Sequence, residues 1–402
     1  MWLKIKPEVP LILGDVRAGS QFLSSIHYIP GRVLRGAWAE WLQAQDQQNI
    51  LPTVERVRIG NFFPTTEWRP IRYTFPLPLS ALTCKRKSGF LREPHKENRG
   101  HGVVDTLLPQ LAYSLLEEAG ARFSAPFALT CIECSDRMEP ASGFYTLYRD
   151  GSIERYAQIQ LRYHAQTKVG LSRHRRAAVE QMLYTASALS PRVKSLQEED
   201  ETTALIFMGR VHGEREDVEA LIDALNHVAI GALHTRGYGR VRAEEADVEG
   251  FPGIEERVTR FKETLAHCWQ DLRRLTANAA DLPERPESTY FSVDLLSPGI
   301  FRQKGVPSLV PTLHIKDQVL EPVFWMTRPD LASGWSAAWG LPKPTSLAAR
   351  MGSTYVYRWE GDPKALITAL EHLERRGIGE RCDEGFGECL ICHPFHEEVE
   401  EK

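Results

Sequence analysis

Gly231-Ala232-Leu233-His234-Thr235-Arg236-Gly237-Tyr238-Gly239 and Gly379-Glu380-Arg381-Cys382-Asp383-Glu384-Gly385-Phe386-Gly387 carry glycine at the same three places of one frame. Upstream of the first lie Val218, Leu221, Ile222, Leu225 and Val228, and upstream of the second Leu366, Leu370 and Leu373, all at helical spacing. Downstream, Val241 and then Cys389-Leu390-Ile391-Cys392 read as strand. A chain that writes one helix–glycine loop–strand corner twice is expected to contain two copies of one α+β module. Glycine in such a corner lets backbone N–H groups approach a ligand with no Cβ in the way.

At 402 residues the chain is long enough for two or three domains with substantial cores. Its 49 basic and 53 acidic side chains nearly cancel, so any nucleic-acid contact must be a local patch. Met1-Trp2-Leu3-Lys4-Ile5-Lys6 alternates like a strand and has no signal-peptide core. No apolar run reaches the length of a membrane span. Seven cysteines without an export signal point to reduced thiols or a metal rather than a disulfide framework. These features describe a soluble cytoplasmic protein.

The pattern divides the chain into an N-terminal module (1–250), a connecting helix and linker (251–288) and a C-terminal module (289–402). Pro30 opens a helix whose Leu34, Trp38, Trp41 and Leu42 share a face. Between about 81 and 146 the texture changes to polar loop, one helix (104–118) and a cysteine-rich turn. We read this stretch as an insertion without an obvious hydrophobic core. Strand patterns return at 155–163 and 204–211, and a helix spans 217–230. Ile254, Val258, Phe261, Leu265, Trp269 and Leu272 predict a long amphipathic helix over 252–276, followed by a linker rich in Pro, Glu and Asp at 278–288. In the second module Asp362 is placed to cap a helix that Pro363 starts and Gly377 ends.

Cys131-Ile132-Glu133-Cys134, with Cys84 and the histidines His95 and His101 upstream, has the composition of a structural zinc site. A two-residue spacer lets two thiolates grip one ion, and Cys84 plus either histidine completes a tetrahedron. We favour His101, because Gly100 and Gly102 flank it and Asp105 is placed to orient its second nitrogen. A metal would supply the stability that the insertion otherwise lacks. Cys389 and Cys392 lie in a strand pattern and are expected to be core cysteines. The glycine loops match neither a dinucleotide fingerprint nor a Walker lysine motif.

The stretch 156–179 contains no Asp or Glu but carries Arg162, Lys168, Arg173, His174, Arg175 and Arg176, interleaved with Tyr163 and Leu171. Guanidinium and aromatic groups together suit single-stranded RNA. The first glycine loop adds Arg236, Gly237, Tyr238, Gly239 and Arg240. Arg32 and Arg35, at a helix N-terminus, form a further basic cluster. The second loop (Gly377, Gly379, Gly385, Gly387) is flanked by Glu380, Asp383, Glu384 and Glu388, and we read it as mainly structural. No catalytic set emerges. The alternative is a metal-independent endoribonuclease using His27, which precedes the Pro30 helix.

Ile29-Pro30-Gly31 leading to Leu34-Arg35-Gly36-Ala37, together with the two glycine corners, resembles the RAMP superfamily of CRISPR proteins. Cys84, the run from Gly100 to Asp105 and the pair Cys131/Cys134 are similar to the Csx-ten family of type III-D effector complexes. The resemblance implies an α+β fold of two ferredoxin-like (RRM-like) βαββαβ modules in tandem, with the zinc-binding insertion in the first. It also implies a non-catalytic, Cas-five-like subunit that holds the 5′ tag of the crRNA. Such a subunit contacts the large Cas-ten subunit and the Cas-seven-type backbone subunits in antiviral defence. The competing enzyme would be Cas-six-like and would process repeat RNA.

Overall fold

The computed structural model describes residues 1–14, 22–67, 71–91, 100–150, 153–172, 174–195, 201–248, 250–336 and 340–397. Alternation at the N-terminus builds β1 (Trp2–Pro7), with Leu3 and Ile5 fully buried. Helix α1 (Gly31–Ala44) follows Pro30 and buries Leu34, Trp38 and Leu42 one turn apart. After β2 (Arg58–Thr65) comes the insertion: β3 (Ala81–Cys84), β4 (Val103–Asp105), α2 (Leu107–Glu118) and β5 (Met138–Pro140). Its strands form a small sheet in the order β4-β3-β5. A long hairpin, β6 (Tyr163–Leu171) and β7 (Ala178–Leu189), then leads to β8 (Ile206–His212), α3 (Arg215–His227) and β9 (Val241–Glu245).

Strands β9-β1-β8-β2 make one antiparallel sheet, so the fourth strand lies beside the first, and the third between first and second. Helices α1 and α3 share a core with that sheet, built from Leu3, Ile5, Trp38, Phe207, Leu221 and their neighbours. The second half repeats the order. After α4 (Ile254–Arg274), strands β10 (Thr289–Leu295), β11 (Phe324–Met326), β12 (Thr354–Trp359) and β13 (Cys389–Ile391) pair as β11-β12-β10-β13. Helix α5 (Pro363–Arg376) precedes β13, and the Asp362 side chain caps it through the N–H groups of Lys364 and Ala365.

Three expectations need correction. Between β10 and β11 no helix occurs among the described residues. Two hairpins, Phe301–Gln303 with Val306–Ser308 and Leu313–Ile315 with Gln318–Leu320, stand where a βαββαβ module has its first helix. Helix α4 does that helix's work: Val258, Phe261, Leu265 and Trp269 are buried in the core of the second sheet, so α4 is no mere connector. The segment after it is also packed, with Leu282 buried and the Trp269 indole donating to the Pro283 carbonyl at 2.9 Å. Third, the insertion has an apolar face. Leu107, Leu108, Leu111, Leu115 and Leu116 of α2 enter the core of the second half rather than the first.

The two glycine corners match bond for bond. Ile230 N–H donates to Gly239 O and Ile378 N–H to Gly387 O, each at 2.9 Å. Gly239 N–H donates to Pro10 O, and Gly387 N–H to Pro298 O. Leu233 and Arg381 both adopt left-handed backbone before a short 3-10 turn that ends on left-handed Gly237 or Gly385. A Cβ on Gly239 would lie 2.3 Å from Ile230 O, and one on Gly387 1.8 Å from Ile378 O. Glycine is required here because backbone approaches backbone. The expected presentation of these N–H groups to a ligand is therefore corrected, since the chain's own carbonyls consume them.

Candidate nucleic-acid interface and metal centre

The basic stretch read from sequence is the β6–β7 hairpin. Nine residues of β6 at about 3.3 Å each give an arm of about 30 Å. The tip is closed by Ser172 N–H donating to Ala177 O at 3.0 Å and Arg176 N–H donating to Ser172 O at 2.9 Å. His174, Arg175 and Arg176 are exposed there, while Arg173 lies outside the described residues. One face of the arm presents Tyr163, Thr167 and Val169 with Leu183 paired opposite Val169; Tyr163, Val169 and Leu183 are exposed. Arg162 is exposed at the base.

The other face of the arm rests on the first glycine loop. Ala186 and Ala188 pack with Ile12 and Tyr238. The Tyr238 hydroxyl donates to Gln166 Oε1 at 2.6 Å, and the Lys168 ammonium lies 4.7 Å from the centre of its ring. Tyr238 is 8% exposed, so this structure uses its ring as the seat of the arm. Arg236 donates to the Tyr184 hydroxyl, and exposed Arg240 pairs with Glu8 at 2.9 Å. Gly237 is open on its Cβ side.

Arg32 and Arg35 sit elsewhere, against the second glycine loop. Arg35 pairs with Asp383 at 3.2 Å and with Glu55 at 3.8 Å, and Arg32 lies over the Phe386 ring. The acids of this loop, repulsive to phosphate on paper, are answered within the chain. Glu380 pairs with Arg302, Glu384 with Arg381 and Lys343, and Glu388 with Arg210. Burial alone would raise the Glu384 carboxyl, but Arg381 and Lys343 bring it down to about 2. Gly31 lets α1 dock on β2, since a Cβ there would meet Ile59 O at 2.0 Å. The loop is a joint between the halves.

His27 is exposed, with the Tyr163 ring 5.9 Å away. Among the described residues no hydrogen bond or ion pair engages its imidazole.

Cys84, His101, Cys131 and Cys134 converge, each offering a ligand atom within 4.8 Å of the others. Cys84 Sγ lies 3.6 Å from Cys134 Sγ, and Cys131 Sγ 3.4 Å from His101 Nδ1. A tetrahedron with Zn–S of about 2.3 Å has edges of about 3.8 Å, so the donor set fits a metal ion of that size. Burial raises the Cys84 thiol, but N–H groups of Lys87 and Arg86 aimed at the sulfur bring it down to about 7. His95 lies outside the described residues. Asp105 does not serve His101, contrary to expectation. Its two oxygens take the Ser80 hydroxyl and, at 2.8 Å, His396 Nδ1. Cys389 and Cys392 are buried core cysteines, as read from the sequence.

Two buried polar clusters escaped the sequence reading. His396, fully buried, bridges Asp105 and Asp294 at 2.8 Å each, tying the insertion to β10 and the C-terminal segment. Burial lowers its pKa, but the two carboxylates outweigh this and raise it to about 10. Glu374 of α5 receives Arg210 from β8 at 2.8 Å and Arg257 from α4 at 2.9 Å. Lone charges scattered over 290 residues leave no local pattern to find, although an Arg at an inward-facing position of α4 was visible.

No helix among the described residues is long and apolar enough to cross a membrane. No curated protein matches the chain. The chain is similar to one in the cryo-EM structure of the type III-B Cmr-beta complex bound to cognate target RNA, with 14% identity, a TM-score of 0.41 and coverage of 92% of this chain and 94% of that one. It is also similar to one in the crystal structure of the Csm3-Csm4 subcomplex of the type III-A CRISPR-Cas interference complex, with 10% identity, a TM-score of 0.35 and coverage of 90% and 93%. A third likeness is to a chain of the Csm1-Csm4 cassette in complex with pppApA, at 13% identity and a TM-score of 0.31, covering 90% and 88%. Residues 161–394, more than half of the sequence, match the family model described as CRISPR-associated protein (Cas_Cmr3). The recognition of a CRISPR-associated RAMP protein is thereby borne out, and the chain belongs to the Cmr3 family of CRISPR-associated proteins.

Proposed function

We propose that this protein is a non-catalytic RNA-binding subunit of a type III CRISPR effector complex, holding the 5′ tag of the crRNA in the cytoplasm. The observation that carries the reading is the exposed β6–β7 arm, with cations at its tip and a tyrosine and aliphatic residues on its open face. Cations neutralise phosphates of an unpaired strand while the open face receives splayed bases. Arg162, Lys168, Arg173, His174, Arg175 and Arg176 are the proposed contacts, with Arg236 and Arg240 at the foot of the arm. The two four-stranded sheets are read as ferredoxin-like modules, the second with α4 in place of its first helix. The large Cas-ten subunit and the Cas-seven-type backbone subunits are the proposed protein partners. The cysteine–histidine centre of the insertion supports assignment to the Csx-ten branch of type III-D complexes.

The same centre is proposed to hold zinc through Cys84, His101, Cys131 and Cys134. Four protein ligands leave no open coordination position, so the ion would brace the insertion rather than act on substrate.

Titration of a fluorescent single-stranded RNA over a range of salt tests the RNA reading. Arg175→Ala with Arg176→Ala should lower the slope of log affinity against log salt by about 1.4, at about 0.7 per lost phosphate contact. An unchanged slope and affinity would remove the arm from the interface. Repeat RNA cut by the wild type and spared by His27→Ala would instead establish an endoribonuclease.

A further inference from the structure

A groove of about 1360 Å³ opens between the halves on the side of α5 that faces away from its core. The first half supplies Arg58 from the start of β2. The second supplies Lys316 from a hairpin, and Lys364, His372, Arg375 and Arg376 from α5. None of these residues belongs to the arm or to the first glycine loop.

The charges in this groove do not cancel locally. Three acids line it: Glu55, Asp362 and Asp383. Glu55 and Asp383 are both engaged by Arg35, and Asp362 is held by the N-terminal N–H groups of α5. By contrast, among the described residues no carboxylate makes an ion pair with Arg58, Lys316, Lys364 or Arg376, and Arg375 has only Glu371 at 3.9 Å. Arg58 is fixed in place: Nη1 donates to Arg375 O at 3.2 Å, and Nη2 occupies the space that a Cβ on Gly377 would need. Among the described residues that Nη2 is sealed from solvent without a hydrogen-bond acceptor, so this cation of the groove wall has no direct partner for that N–H group. Gathering like charges costs free energy unless a polyanion neutralises them.

The lining also says how that polyanion is read. Among the described residues the lining has no aromatic ring apart from the imidazoles of His314 and His372, and its uncharged part is mostly small and aliphatic side chains such as Ala365, Ala369 and Leu373. Such a surface offers bases little to stack on beyond those imidazoles and the guanidinium planes, so recognition falls mainly on the phosphates. We propose that this groove is a second nucleic-acid track that grips the phosphodiester backbone of an unpaired RNA strand without regard to sequence. The inference rests on the RNA-binding reading of the preceding section and adds a separate surface to it.

The test uses the full-length chain and a 30-nucleotide oligouridine. Lys316, Lys364 and Arg376 are exposed, so replacing all three with Ala should leave the fold intact, checked by an unchanged melting temperature. The triple variant should lower the slope of log affinity against log salt by about 2, and do so again when Arg175 and Arg176 are already Ala. Affinity and slope equal to those of the parent overturn the groove and leave the arm standing. Wild-type protein that binds no oligouridine overturns both readings. Unchanged RNA binding with lost assembly into the effector complex overturns the proposal in favour of a protein contact.

Discussion

Glu374→Gln is the sharpest single probe of how the halves are joined. The carboxylate is 8% exposed and accepts from Arg210 Nη1 at 2.8 Å, from Arg257 Nη2 at 2.9 Å and from Ile391 N–H at 2.9 Å. Arg257 is 2% exposed and Arg210 6%, so neither guanidinium can recover its hydration by turning outward. The amide keeps the volume but removes the charge, leaving two buried cations. Among the described residues only Glu388 still forms an ion pair with either, 3.7 Å from Arg210. Breaking such a cluster costs about 3–5 kcal/mol, because the penalty comes from the orphaned charges rather than the lost attraction. Urea unfolding at pH 7 should show this loss. Glu371→Gln, one turn away on the exposed side of α5, should stay within about 0.5 kcal/mol. Burial raises the Glu374 carboxyl, but Arg257 and Arg210 leave it below the ordinary 4.5. Its contribution is therefore present above that value and lost as the pH falls through the depressed one, so wild type and variant should converge in acid. A Glu374→Gln protein within about 1 kcal/mol of wild type at pH 7 would refute the reasoning, since water would then have to reach the cluster.

Three further outcomes follow from the same structure. Gly387→Ala should cost more than about 2 kcal/mol in chemical denaturation, since its Cβ would meet Ile378 O at 1.8 Å, whereas Gly237→Ala, facing open space at φ 84°, should cost about 1–2 kcal/mol. Equal costs would show that contact is not the reason for glycine. His396 titrates near pH 10 in the fold against 6.5 for a free imidazole, so its stabilisation is complete below about 6.5 and lost as the pH rises through about 10. Wild type should thus lose stability between pH 6.5 and 9.5 relative to His396→Asn, and parallel profiles would contradict the buried imidazolium. For the metal, elemental analysis should give one zinc per wild-type chain and none in Cys131→Ser. A chelator should lower the melting temperature of the wild type alone; a metal-free, chelator-indifferent wild type would dispose of the zinc.

The parts of the fold that were legible from sequence are those with local causes. The glycine corners, the capped helix at Asp362, and the amphipathic helices around Trp38, Leu221 and Phe261 each announce themselves within one or two turns. The four metal-fitting side chains were legible because thiols and imidazoles are rare and clustered. What stayed hidden depends on distant partners. Nothing between 107 and 116 says that these leucines belong with Phe291 and Tyr357 rather than with β1. The acids of the second glycine loop looked hostile to phosphate because their counter-charges, Arg35, Arg302 and Lys343, lie 41 to 348 residues away. Tyr238 looked free to stack on a base, since only tertiary structure places the arm over it.

Helix α2 has a consequence for biogenesis. Its leucines leave the ribosome about 140 residues before α4, the helix packed directly against them, begins to be made. At about 5–20 residues per second that interval is roughly 7 to 30 s, during which a greasy ridge waits for its berth. A nascent chain arrested near residue 250 should therefore cling to trigger-type holdases or precipitate. Splitting the gene between its halves should yield soluble product only when both fragments are produced together.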